Sequence, residues 1–176
     1  MTTASTAPAL AFRENRFLQR LTAVFVVIWI ASAVHPEMVG DWWLENILVF
    51  LFVGALIATY QRLPFSDSSY FLLFVFLVLH EWGAHHKYAT VPLGEWMKVW
   101  LDTSRNHYDR IAHFAFGLLF AYPIREVLLR RSGARGYCLL LLPAVASLAL
   151  GAAYEIIEAV VASIVSPEAG DAFLGL

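Results

Sequence analysis

The sequence predicts an all-α fold: a polytopic transmembrane bundle of about five spanning helices plus a short interfacial helix. Three observations predict it. The 176 residues are 60% hydrophobic and only 15% charged, with mean hydropathy +0.64, whereas a soluble domain carries about 25% charged residues. Five apolar runs approach the roughly 20 residues that a helix needs to cross a bilayer. Alternation at period two, the mark of a transmembrane β-barrel, is absent from the sequence. The length suits one domain, expected over residues 17–176, behind a Ser/Thr/Ala-rich tail over 1–16 that is expected to be mobile.

The first spanning helix is expected over 17–34, ended by His35-Pro36. It follows Arg13 and Arg16 and has no small-residue cleavage site beyond it, so it reads as an anchor that stays and not as a signal peptide. The second is expected over 42–60, stopping before Pro64, and the third over 68–84. The fourth is expected over 109–129 and the fifth over 137–165, a run with room to tilt. Between the third and fourth, Leu93, Trp96, Met97, Trp100 and Leu101 recur at i, i+3, i+4, i+7 and i+8, with Glu95, Lys98 and Asp102 off that stripe. This predicts a short helix lying on the membrane surface or a lid packed on the bundle. The single Cys138 excludes an internal disulfide and a multi-cysteine metal site, and its apolar run predicts a core position.

Lys/Arg bias sets the expected orientation. Eight basic residues (Arg13, Arg16, Arg20, Arg62, Arg125, Arg130, Arg131 and Arg135) fall on one side and four (Lys87, Lys98, Arg105 and Arg110) on the other. The N-terminus is therefore expected on the cytoplasmic side, with the histidine clusters facing outward. Trp42, Trp43, Trp82, Trp96 and Trp100 all fall at the expected outer boundary, where indoles concentrate. The four outward bases are balanced by Glu95, Asp102 and Asp109, or they attract anionic lipid headgroups among the membrane-lipid partners. A net charge of −2 argues against nucleic acid as a partner.

Five of the six histidines lie between residues 80 and 113, in two acid-flanked clusters, HEWGAHH at 80–86 and NHYDRIAH at 106–113. Ionisable groups at a membrane edge are costly unless they face protein or water, so they are candidate functional groups. Topology splits them. His80 and Glu81 fall at the outer end of the third helix, and Asp109 and His113 share one face at the outer start of the fourth, with Gly117 continuing it. On the fifth, Ser147, Gly151, Glu155, Glu158 and Ala162 form a stripe of small and acidic residues expected to face the bundle. Three helices thus bring His80, Glu81, Asp109, His113, Glu155 and Glu158 to one depth. Two carboxylates one turn apart in low dielectric share a proton, pair with a cation or hold a metal. Asp109, His113, Glu155 and Glu158 are the candidate catalytic residues, and His80, Glu81, His113 and Glu155 the candidate ligands of a divalent metal. Simple interhelical polar contact is the alternative for all six. His85, His86 and His107 are expected to be solvated loop residues, and His35 a helix-end residue.

Named motifs fail. The residue four after His80 is Ala84, so there is no zincin pair, and Gly83 is a candidate helix end there. The membrane-phosphatase Pro-Ser-Gly-His element, the Gly-x-Ser-x-Gly elbow and a phosphate-binding glycine loop are absent from the sequence. The series HEWGAHHKYA, RNHYDRIAHFAFGLL, REVLLR, YEIIEAVV and GDAFLG, in that order, resembles the YjdF-like family of bacterial inner-membrane proteins over nearly the whole chain. The resemblance implies a multi-pass plasma-membrane protein and carries no activity. Members of that family continue past the Gly-Asp stretch into acidic and tryptophan residues and a further spanning helix, so Asp171 is expected to open a site element that this chain lacks. Asp109-x-x-x-His113-Phe114 with Glu155 is also similar, more distantly, to the VanZ-like proteins.

Four functions compete at this stage. The first is a membrane-embedded enzyme acting on a lipid or lipid-linked substrate at the outer leaflet, with His113 as base or metal ligand and Asp109 orienting it. The second is a small transporter or proton-relay protein, disfavoured by the absence of a broken-helix repeat pair. The third is a single haem held by His80 and His113. The fourth is a non-catalytic scaffold.

Overall fold

A computed structural model describes residues 11–165. Residues 1–10 of the expected tail and Asp171 lie outside the described residues. After a 3-10 turn at Phe12–Glu14, six α-helices follow: α1 (Arg16–Ser32), α2 (Val39–Thr59), α3 (Asp67–His85), α4 (Pro92–Trp100), α5 (Tyr108–Arg131) and α6 (Cys138–Ala162). No strand occurs among the described residues. Three helices, α2, α5 and α6, are long and apolar enough to cross a membrane by length and composition.

The helix ends follow local chemistry. Asn15 Oδ1 accepts from the Leu18 N–H at 2.9 Å, satisfying a free donor at the start of α1. Ser66 does the same for the Ser69 N–H at the start of α3. Pro92 opens α4, where its missing N–H costs nothing. His35, at φ 53°, turns the chain after α1, and Lys87 and Tyr88, at φ 45° and 52°, turn it after α3. Gly83 does not end α3. It lies inside the helix because a Cβ there would stand 2.5 Å from the Tyr88 ring, so only glycine lets the loop fold back so closely.

The bundle is arranged with its polar groups inside. α3 packs against α1, α2 and α5, and α6 packs on α5. Asp41, Glu45, Asn46, Ser69, His80, Glu81, Ser147 and Glu158 are buried, while Val27, Leu51, Ile57, Leu140 and Leu148 are exposed. That inversion is stable where the solvent is lipid, because an unpaired polar group costs several kcal/mol there and an exposed leucine costs nothing. It also corrects the expectation for Cys138, which is exposed. On a lipid-facing helix an apolar neighbourhood in sequence does not mean a core position.

The two ends of the bundle are built differently. At the end away from the histidines, the Glu126 carboxylate of α5 accepts from the Ser66 N–H (2.9 Å) and hydroxyl (3.0 Å), from the Ser69 hydroxyl and from Arg130. This clamps the start of α3 to α5. At the other end, Asn106 anchors α4: its amide donates to Val91 O at 3.1 Å and Glu95 Oε1 at 2.9 Å, and its Oδ1 accepts from the Tyr108 N–H at 2.9 Å. Gly94 leaves room for that side chain. Of the α4 stripe, Trp96, Trp100 and Leu101 are exposed and Leu93 and Met97 half-buried, and the two indoles stack with centroids 6.0 Å apart. Trp42 is buried, with its indole N–H 3.2 Å from Ser32 Oγ.

Candidate functional site

A cavity of about 630 Å³ lies between α2, α3, α5 and α6. Its inner part is apolar, lined by Phe52, Phe76, Phe116 and Phe120. Its outer part carries Glu45, His80, Tyr88, Arg105, Asp109, His113, Tyr154, Glu155 and Glu158. α2 packs on α3 and α6 on α5, so these two helices flank the cavity from opposite sides. Leu51 and Leu150 line it and are both more than half exposed, so it opens sideways between α2 and α6.

His113 is the hub of one half of the polar part. Asp109, one turn earlier on α5, places Oδ1 3.3 Å from His113 Nε2, and Glu155 of α6 places Oε1 3.1 Å from the same nitrogen. One ring nitrogen carries one proton, so it cannot serve two carboxylates equally. A cation between them would. His113, Glu155 and Glu158 each offer a ligand atom, and these atoms lie within 4.8 Å of one another. Asp109 also pairs with Arg105 at 3.9 Å.

His80 is the hub of the other half. The Tyr88 hydroxyl lies 2.7 Å from His80 Nδ1, and burial pushes its pKa well above the ordinary value. His80 Nε2 faces the Glu45 carbonyl, an acceptor, at 3.4 Å and Glu45 Oε2 at 3.8 Å, which puts the ring proton on Nε2 and leaves Nδ1 to accept from the phenol. Tyr154 joins the two halves: its hydroxyl donates to Glu45 Oε2 at 3.1 Å and its ring stands 6.3 Å from the His113 ring.

The six residues singled out from the sequence are therefore not all together. His80, Asp109, His113, Glu155 and Glu158 line the cavity; Glu81 does not. Successive helical residues point about 100° apart, and while His80 faces the cavity, Glu81 faces α1, accepting from Ser32 Oγ at 2.6 Å. The expected metal set of His80, Glu81, His113 and Glu155 is thus not assembled; the set brought together is His113, Glu155 and Glu158. His85 and His107 are not simple loop residues either. His85 Nδ1 lies 2.9 Å from Ser32 O, and His107 bonds Thr103 and Arg110. His86, the residue that caps α3, has Nδ1 3.1 Å from Trp82 O.

Four polar residues of the site, Glu45, Tyr88, Arg105 and Tyr154, were not among the candidates from sequence. Glu45 carried a usable signal, an acid inside an apolar run, the same one that exposed His113. Tyr88 and Tyr154 carried none, because tyrosine is ordinary at membrane boundaries. Asp41, one turn before Glu45, is 1% exposed and both its oxygens are buried without a hydrogen bond among the described residues.

Comparison with known proteins agrees with the architecture. A family model described as "Predicted membrane protein (DUF2238)" matches residues 17–176. The chain is 34% identical over 156 residues to "Inner membrane protein YjdF" of Escherichia coli (strain K12), covering 88% of this chain and 73% of that protein. No solved structure gives a significant match. A match over nearly the full length, to a family of membrane proteins, for a chain that buries acids and a histidine and exposes many of its leucines, leaves one conclusion: the chain belongs to the DUF2238 family of membrane proteins.

Proposed function

We propose that this protein is a membrane-embedded enzyme that acts on a lipid or lipid-linked substrate at the outer leaflet of the bacterial inner membrane. In this reading α1, α2, α3, α5 and α6 all cross the bilayer, the N-terminus is cytoplasmic and α4 lies on the outer surface. The observation that carries the reading is the shape of the cavity: an apolar trough of phenylalanines ends in a cluster of acids and histidines and opens sideways toward lipid. An amphiphile enters such a cavity with its chain in the trough and its headgroup at His113.

The roles follow from geometry. His113 takes a proton from an attacking hydroxyl or water where its Nε2 is free, and is the nitrogen ligand where Nε2 meets a cation; Asp109 holds the ring in place. Glu155 and Glu158 complete a mixed nitrogen–oxygen ligand set that suits a divalent cation. Four carboxylates against one guanidinium make the polar end acidic, so an anionic headgroup would need such a cation as a bridge.

The test is metal analysis of the purified protein together with lipid profiling of cells carrying His113→Ala. Bound metal that is lost in Glu158→Gln, and a lipid species that accumulates in the variant, are expected. A metal-free protein with an unchanged lipid profile would overturn the reading.

A proton relay is the second reading. It is favoured by the series of polar groups along the cavity, from Tyr88 on His80 through Glu45 to Tyr154, with Glu158 beside His113. Proton flux in proteoliposomes that is lost in Glu45→Gln would select it over the enzyme.

A further inference from the structure

A second groove, of about 400 Å³, runs down the outside of the bundle between α4 and α5, away from the central cavity. Met97, Leu101, Ile111 and Phe114 form its apolar walls, and His107 and Arg110 stand at its head. We infer that this groove is a binding site for one anionic phospholipid, with the lipid phosphate on Arg110 and an acyl chain along Ile111 and Phe114. The inference needs the bundle to sit in a membrane; it does not rest on the enzyme reading.

Arg110 is the reason. Its Nη1 donates to His107 Nδ1 at 2.7 Å. A guanidinium is always a donor, so Nδ1 is the acceptor, and the imidazole proton lies on Nε2, 2.9 Å from Thr103 Oγ1. The arginine is therefore held in place by a neutral group, and its charge is left intact. Two other basic residues of this connection are matched by carboxylates: Lys98 pairs with Glu95 and Arg105 with Asp109. Among the described residues no carboxylate pairs with Arg110. A fixed guanidinium with donors to spare is the geometry that takes a phosphate in bidentate fashion.

The apolar part points to a lipid and not to a free anion. Phe114 is 72% exposed one turn below Arg110, and Leu101 is 45% exposed across from it. The stacked Trp96 and Trp100 on the same short helix set the level of the headgroups. Phosphate depth, chain direction and indole depth then agree with a single lipid standing alongside α5.

Native mass spectrometry of the full chain, released from detergent in the presence of phosphatidylglycerol or phosphatidylcholine, tests this. One phosphatidylglycerol is expected to stay bound in preference to phosphatidylcholine. Arg110→Gln is expected to weaken it about tenfold, the worth of one charge-assisted contact, and Phe114→Ala is expected to weaken it with the phosphate contact intact. Arg105→Gln, which alters the central cavity, is expected to leave it unchanged. Retention in Arg110→Gln would overturn the inference, as would loss in Arg105→Gln alone, which would move the lipid to the central cavity. Displacement by millimolar inorganic phosphate would also overturn it, by reassigning the site to a free anion.

Discussion

The Tyr154 hydroxyl reaches from α6 to Glu45 on α2, 109 residues away, at 3.1 Å. The two helices flank the cavity without packing closely on each other, so this bond is what spans the opening. Tyr154→Phe removes the bond and keeps the ring. Hydrogen bonds between membrane helices contribute about 0.6 kcal/mol on average, and at most about 1.7. A loss of that order is expected in unfolding measurements in detergent, with a widened α2–α6 distance between spin labels at Leu51 and Leu150. An unchanged distance would show that the bond does not hold the cavity closed.

Gly83→Ala is expected to act at a distance. The added methyl group meets the Tyr88 ring at 2.5 Å and must push it away. The phenol then leaves His80 Nδ1, and with it goes the contact that keeps the ring proton facing Glu45. Overpacking of this kind costs about 1–3 kcal/mol. Nitrogen NMR of labelled histidine is expected to show the His80 tautomer mixing in the variant. Tyr88→Phe should reproduce the tautomer change without the overpacking.

The anchoring of α4 is expected to depend on pH in one direction only. The Asn106 amide, donating at 2.9 Å, holds the Glu95 carboxyl below its ordinary 4.5, and Lys98 adds to this. A lowered pKa in the folded state means that the contribution is complete above the ordinary value and is lost as pH falls through the lowered one. Hydrogen exchange of residues 92–106 is therefore expected to be flat through neutral pH and to rise only in acid. Glu95→Gln should abolish that rise.

The long helices were legible in the sequence because each coincides with an apolar run of about the length a bilayer crossing needs. The expected spans 17–34, 42–60 and 68–84 differ from α1, α2 and α3 by one to three residues at each end. Asp109 with His113, and Glu155 with Glu158, were legible because helical spacing puts each pair on one face. Glu81 was misread for the same reason in reverse: depth in the membrane follows from sequence, but direction around the helix depends on which neighbour packs where. Glu81 lies at the depth of His80 and points to Ser32. The Tyr88 contact was out of reach because it depends on a turn with two residues at positive φ, which no periodicity announces.

Stability and chemistry are expected to separate along α5. Glu126 accepts four donors from Ser66, Ser69 and Arg130 at one end of that helix, and His113 lies about 20 Å away along the axis at 1.5 Å per residue. Glu126→Gln presents an amide to groups that are all donors, so it loses the charge and adds a repulsion. A charged acceptor with buried donors is worth about 2–3 kcal/mol. The variant is expected to unfold earlier in detergent by that order while keeping the same metal content as the parent. His113→Ala is expected to do the opposite, and the two effects should add in the double variant because the sites share no partner. Coupling between them, read as a double-variant stability that departs from the sum by more than about 0.5 kcal/mol, would mean that the clamp and the cavity are one cooperative unit and that α5 transmits between them.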